Sequence, residues 1–213
     1  MKTERTYIPA LRFRWLTPLY DPILRWLMRE ERFKRTLIQE ASIQPGQQVL
    51  DLGCGTATLT VMIKQAHPQA VVTGLDGDPQ VLKIGRDKAK KARVDLTLDQ
   101  GMAYDLPYSA ASFDRVLSSL MFHHLNRQDK QRALKEICRV LKPDGRLLIL
   151  DFGPPASLWS RLLSPVMARL EEVGDHHKGL IPVMIRQAGF RDVAVTRRFA
   201  TIFGTLNLYV GRK

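Results

Sequence analysis

Val49-Leu50-Asp51-Leu52-Gly53-Cys54-Gly55-Thr56-Ala57 joins a block of buried-strand character to a glycine-rich turn, with an acid two residues before the first glycine. Glycine tolerates the dihedrals of a sharp turn and lets the backbone approach a ligand, and a helix that follows presents unpaired N–H groups to it. The stretch therefore predicts a strand–turn–helix unit that holds a nucleotide-type ligand. Its spacing departs from the dinucleotide fingerprint, which wants a third glycine three residues after the second. Thr58 stands at that place, and Asp51 has no counterpart in the fingerprint.

Outward from this turn, strand-length and helix-length segments alternate. Strands are predicted at 48–52, 70–76, 95–100, 113–119 and 145–152, with helices at 58–67, 79–92 and 127–141 between them. Apolar blocks such as Arg146-Leu147-Leu148-Ile149-Leu150 suit strands covered on both faces. Lys142-Pro143-Asp144-Gly145 predicts a turn in which glycine takes the positive dihedral. A helix is expected near 31–42, a helical insertion after Gly153-Pro154-Pro155 to about 173, a helix at 179–188, and β-rich runs at 193–199 and 205–210. Two closing strands without a long crossover must pair antiparallel. The expected fold is α/β, with a seven-stranded, mostly parallel sheet, helices on both faces and an antiparallel C-terminal strand pair.

At 213 residues and 45% hydrophobic composition, one domain with modest additions is expected. No run of about 18 uncharged apolar residues marks a membrane span, and no signal peptide is evident at the N-terminus, so a cytoplasmic protein is expected. Cys54 and Cys138 form no disulfide framework and read as packing residues.

The net charge of +12 is spread out: residues 1–48 carry 9 basic and 5 acidic side chains. Lys83, Arg86, Lys88, Lys90, Lys91 and Arg93 cluster around Asp87 and read as a solvated helix face. From Leu11 to Met28, aromatic and aliphatic side chains interleave with arginines and are broken by Pro18 and Pro22. Such a stretch suits a cap over the ligand mouth, and a basic amphipathic segment can also lie against a membrane surface. The organisation expected is an N-terminal helical cap at 1–43 and a main domain at 44–213, with a cap insertion at 153–178.

Asp76 ends the second predicted strand about 20 residues beyond the turn, where a carboxylate can accept both hydroxyls of a ribose. Four further segments follow in order: Gln100-Gly101-Met102-Ala103 with Leu106-Pro107-Tyr108, Ser112 to Val116, Ser118 to Leu125, and Arg132 to Ile149. With Asp51–Ala57 as motif I, this series resembles the class I S-adenosylmethionine-dependent methyltransferases over roughly residues 44–152. The closer likeness is to the small-molecule branch typified by quinone-biosynthesis C-methyltransferases.

The resemblance implies a Rossmann-like sheet and S-adenosyl-L-methionine as cofactor, bound by Tyr20, Asp51, Gly53, Gly55, Thr56, Asp76, Gly77, Met102, Ala103, Ser118 and Ser119. Met102 stands where many members carry an acid toward the adenine amino group, so apolar and backbone contacts are expected there. Methyl transfer from a sulfonium needs alignment and water exclusion, with a base only for a protonated nucleophile. His123, His124 and His176 are the candidates for that base. No metal is expected: the two histidine pairs lie 53 residues apart in sequence, and neighbouring histidines are expected to diverge.

The exit loop Ser118-Ser119-Leu120-Met121 lacks the Asp/Asn-Pro-Pro-aromatic motif of base-amine methylases, which argues against a nucleic-acid substrate. Catechol-type metal acids and the extra thiolates of arsenite methylases are also missing. The expected substrate is a small, apolar or lipid-like acceptor, with peripheral membrane contact through the basic N-terminal segment. The alternative is a catalytically idle cofactor-binding adaptor at membrane or protein surfaces.

Overall fold

The computed structural model describes residues 30–154, 174–201 and 204–213. Its elements in chain order are α1 (Glu30–Ala41), β1 (Gln48–Leu52), α2 (Thr58–Ala66), β2 (Val71–Asp76), α3 (Pro79–Ala92), β3 (Thr97–Gln100) and β4 (Phe113–Ser119). A 3-10 turn (Phe122–His124), α4 (Arg127–Val140), β5 (Leu141–Phe152), α5 (Gly174–His177), α6 (Ile181–Gln187), β6 (Arg191–Thr201) and β7 (Gly204–Arg212) follow. The seven strands form one sheet in the order β3-β2-β1-β4-β5-β7-β6.

β1 pairs in parallel with both β2 and β4, and β4 with β5. β7 inserts antiparallel between β5 and β6. Connections from β1 run outward in one direction through β2 and β3, then in the other from β4 to β5. This reversal opens a crevice at the carboxyl ends of β1 and β4, where ligands of open α/β sheets bind.

Two hydrophobic clusters cover the two faces. One joins Leu50, Val116, Leu147, Ile149 and Tyr209 to Leu134 and Ile137 of α4 and Ile185 of α6. The other joins Val49, Val72, Leu148, Leu150 and Leu208 to Phe33 and Leu37 of α1 and Ile63 of α2. Alternation along Leu147–Leu150 sends neighbouring residues to opposite clusters, so the strand is apolar throughout. Of the expected N-terminal cap, residues 30–41 are a helix on this second face; residues 1–29 lie outside the described residues. So do residues 155–173 of the expected insertion.

The local expectation at Lys142–Gly145 needs correction. These residues belong to β5, whose pairing with β4 shifts register between Phe113 and Arg115. The positive dihedral falls on Asp144 (φ 63), not on Gly145. Aspartate tolerates the left-handed region because its short side chain bonds locally. Among the described residues no helix is long and apolar enough to cross a membrane.

Leu208 sits on β7 with no exposed surface and packs in the cluster beneath α1. Leu208→Ala should cost about 2–5 kcal/mol of stability. Urea unfolding should show a lower midpoint with an unchanged slope.

Candidate active site

The turn after β1 is fixed by its backbone. Gly53 and Cys54 both donate to the Leu75 carbonyl, at 2.8 and 3.0 Å, which ties the end of β1 to the end of β2. Gly53 has φ +70, and a Cβ there would lie 2.3 Å from Met121 Cγ, so dihedral and space both demand glycine. Gly55 has φ +52 and nothing within 4 Å of its would-be Cβ, which leaves an open cradle beside the start of α2. Ala57 enters α2 in the left-handed region, with φ 57.

Asp76 closes this cradle. Its Oδ2 accepts from Gly55 N at 2.8 Å and its Oδ1 from Asp78 N at 3.0 Å. Burial raises its pKa, while the Asp78 and Gly55 N–H groups favour the charged form. Gly77 follows at the rim, its carbonyl accepting from Gln100 Nε2 at 3.4 Å. The Gly101 N–H donates to the Asp76 carbonyl at 3.0 Å, and Met102 bridges Asp105, so the Met102-Ala103 loop sits beside Asp76. The Thr56 hydroxyl accepts from Lys88 Nζ at 2.9 Å, and Lys88 also reaches Thr58 at 2.6 Å. Of the six basic side chains read as a solvated face, Lys88 alone is half-buried; it straps α3 to the glycine turn. Burial pushes the Cys54 thiol up, consistent with a packing role.

Other expected ligand residues face inward. Asp51 is 1% exposed and accepts from Thr60 Oγ1 at 2.6 Å, so it buttresses the turn from beneath. The Ser118 hydroxyl donates to the Leu52 carbonyl at 2.9 Å and is buried. Ser119 Oγ, at the carboxyl end of β4, is a buried polar atom without a hydrogen-bond partner among the described residues. Tyr20 lies outside the described residues.

The histidines assemble around a residue the sequence did not single out. Asp151, near the end of β5, has no exposed surface. Its Oδ1 accepts from His123 Nδ1 at 2.8 Å and lies 3.9 Å from His176 Nδ1. Burial alone would raise this carboxyl, but His123 and His176 hold it well below the usual carboxylate range. Two histidines 53 positions apart thus share one carboxylate. The expectation that neighbours diverge also fails at His123 and His124, whose ring centroids lie 4.0 Å apart. His124 is exposed at the turn.

Asp175 and His176 are buried within α5. Asp175 accepts from Arg127 Nε at 2.9 Å, with Lys130 Nζ 3.8 Å away. Gly153 makes room for the last member, since a Cβ there would lie 2.2 Å from Asn207 Nδ2. Asn207 pairs across the strands with Asp151, and its Nδ2 donates to Tyr209 Oη at 3.2 Å.

The chain matches the methyltransferase-domain family over residues 49–145. It is 31% identical to a demethylmenaquinone methyltransferase of Deinococcus radiodurans, over 94% of this chain and 90% of that relative. The chain belongs to the class I S-adenosylmethionine-dependent methyltransferases. A demethylmenaquinone methyltransferase of Thermus thermophilus is 35% identical over 67% of the chain and 65% of its own length. In fold, this methyltransferase matches an S-adenosylmethionine-dependent methyltransferase of Aquifex aeolicus with a TM-score of 0.68 at 17% identity, covering 97% of this chain and 99% of that one. Membership implies S-adenosylmethionine as methyl donor. The residues fit such a group: the open cradle at Gly55, the carboxylate of Asp76 and the orphaned Ser119 hydroxyl line the carboxyl ends of β1, β2 and β4.

Asp51 makes a checkable pH signature. Burial pushes its carboxyl up from 3.8 to about 6, against the opposing bond from Thr60 and the charge of Lys34. The folded state therefore holds this proton more tightly than the unfolded state does. Its contribution to stability falls as pH rises from about 4 to about 6 and is level above, a loss of about 3 kcal/mol. Asp51→Asn keeps an acceptor for Thr60 without titrating. Urea unfolding across that range should show the variant gaining on the wild type as pH rises; parallel curves would contradict the assignment.

Proposed function

We propose that the protein transfers a methyl group to a ring of a small, apolar, lipid-like acceptor by in-line displacement. One juxtaposition carries this reading. The open cradle at Gly55 lies on a sheet whose β6–β7 pair borders a cavity of about 380 Å³, in a chain 31% identical to a demethylmenaquinone methyltransferase along nearly all of its length. Pro154, Pro182 and Val195 make much of that cavity's lining apolar, with Arg198, Asn207 and Tyr209 as polar groups. Apolar walls with a few convergent polar groups suit a ring-bearing lipid.

S-adenosylmethionine, when bound, supplies an electrophilic methyl on a sulfonium that leaves as a neutral thioether. The chain's own part is to hold and align. Asp76 and Gly77 take the ribose side, Met102 and Ala103 border the base, and Gly53, Gly55 and Thr56 shape the cradle, with Asp51 and Ser118 locking it from below. Ser119 stands at the exit of β4 toward the acceptor. The arginine-rich stretch Leu11–Arg29 brings the enzyme to the membrane surface where a lipid-like acceptor resides.

A competition assay tests this. Purified protein is incubated with methyl-labelled S-adenosylmethionine, a prenylated 1,4-dihydroxynaphthalene in detergent, phosphatidylethanolamine vesicles and RNA. Label should enter the naphthalene ring. Label confined to phospholipid or RNA, or entering none of the three, overturns the proposal.

A further inference from the structure

Asn207 Nδ2, Tyr209 Oη and His176 Nδ1 each bond within the cluster around the end of β5. His176 Nδ1 lies 2.9 Å from the Phe152 carbonyl. A carbonyl only accepts, so Nδ1 carries the hydrogen, and in the neutral ring Nε2 keeps its lone pair. Tyr209 Oη donates to the same carbonyl at 3.1 Å, which turns the Asn207 amide so that Nδ2 faces Tyr209. Asp151 Oδ1 is taken by His123 and by the Phe152 N–H at 2.8 Å. What remains is a set of three acceptors: Asp151 Oδ2, His176 Nε2 and Asn207 Oδ1 are buried and have no hydrogen-bond partner among the described residues.

His176 and Asp151 have no exposed surface, and Asn207 is 3% exposed. Buried polar atoms in folded proteins are almost always paired. Three buried acceptors in one cluster therefore call for a ligand that brings a donor. Asn207 and Tyr209 also line the cavity between Pro154, Pro182, Val195 and Arg198, and so connect the cluster to the space assigned above to the acceptor ring.

We propose that Asp151, His176 and Asn207 form a proton-accepting subsite for an ionisable hydroxyl on the methyl acceptor, with His176 Nε2 as the atom that takes the proton. The inference rests on the reading of the acceptor as a ring. The hydroxyl proton moves to Nε2, and the electron pair left on oxygen makes the ring carbon nucleophilic. The carbon–methyl bond forms as the sulfur–methyl bond breaks with its pair left on sulfur. The ring carbon then loses its own hydrogen to water as a proton and the imidazolium returns the first proton to oxygen, so one proton is released per methyl transferred. Asp151 is a positioning residue: its charge stabilises the imidazolium at 3.9 Å.

Asp151 from β5, His123 from the 3-10 turn and Lys130 from α4 act on His176, while Arg127 of α4 is held by Asp175 and Tyr209 of β7 shares the Phe152 carbonyl with His176. Burial lowers its pKa, against the pull of Asp151 and the Phe152 carbonyl, and Lys130 and His123 lower it further. The ring is therefore neutral, and able to accept, at neutral pH.

The test uses the full chain, labelled S-adenosylmethionine and the prenylated dihydroxynaphthalene. In His176→Asn the amide nitrogen takes the place of Nδ1 and keeps the Phe152 bond, while the Nε2 lone pair is gone. We expect kcat to fall by about 100- to 10,000-fold, with thermal midpoint and S-adenosylmethionine affinity held, and the acid limb of the kcat/KM profile to vanish. A variant that retains more than about a tenth of kcat, or keeps the acid limb, overturns the proposal. Should His176→Asn not fold, the wild-type profile decides: an acid limb below about pH 6.5 supports the subsite, and a flat profile from about pH 5 to 8 overturns it. Wild-type protein that methylates no hydroxylated ring sinks the acceptor reading itself, whereas an active wild type with an active His176→Asn sinks the base alone.

Discussion

The glycine turn is held by a pair of backbone bonds: the Gly53 and Cys54 N–H groups converge on the Leu75 carbonyl. These bonds place the end of β1 against the end of β2, and with that the Gly55 N–H against the Asp76 carboxylate. The same turn brings Met121 into the space a side chain at position 53 would take, which sets how the chain leaves β4. Asp51 beneath and Lys88 from the side brace it through Thr60, Thr56 and Thr58. A methyl donor held across β1, β2 and β4 as proposed would depend on these few bonds, because alignment is the main thing a sulfonium displacement asks of a protein.

On the other side of the crevice the organising element is a buried charge. An ionised carboxylate in a protein interior persists only when partners compensate it. Asp151 has His123, the Phe152 N–H and the nearby His176. Around it β5, the 3-10 turn, α5 and β7 converge, so one acid at the end of an apolar strand draws together residues from His123 to Tyr209. The donor cradle and this cluster occupy the same end of the sheet, and the Leu120 N–H bond to the Leu150 carbonyl at 2.9 Å joins β4's exit to β5 just below Asp151.

Much of the frame was legible in the sequence. The ranges of β1, α3 and β4 coincide with their expected limits, and β1 and α3 are bounded by strong local signals: Gly53 after β1, Pro79 and the Asp78 cap at α3. The donor side was legible for the same reason, since its geometry is backbone geometry and glycine marks it. The acceptor side was not. Asp151 reads as an ordinary strand-end acid, and nothing local links it to His176 or Asn207. That link is made by β7 inserting antiparallel beside β5, a tertiary fact. The one local hint was an acid directly after four apolar residues, where a buried strand has no solvent to offer it. Lys88 was misjudged likewise: in a basic helix, only the packing of α3 on the glycine turn singles out one lysine.

The central claim is that the cradle from Gly53 to Asp76 holds S-adenosylmethionine. Calorimetric titration of S-adenosylmethionine into the wild type and Asp76→Ala tests it most directly. One-to-one binding by the wild type, with affinity lost by at least about tenfold in a variant that unfolds at a comparable temperature, is the outcome the account requires. Equal affinity in both proteins, or no heat from the wild type at millimolar ligand, would contradict it.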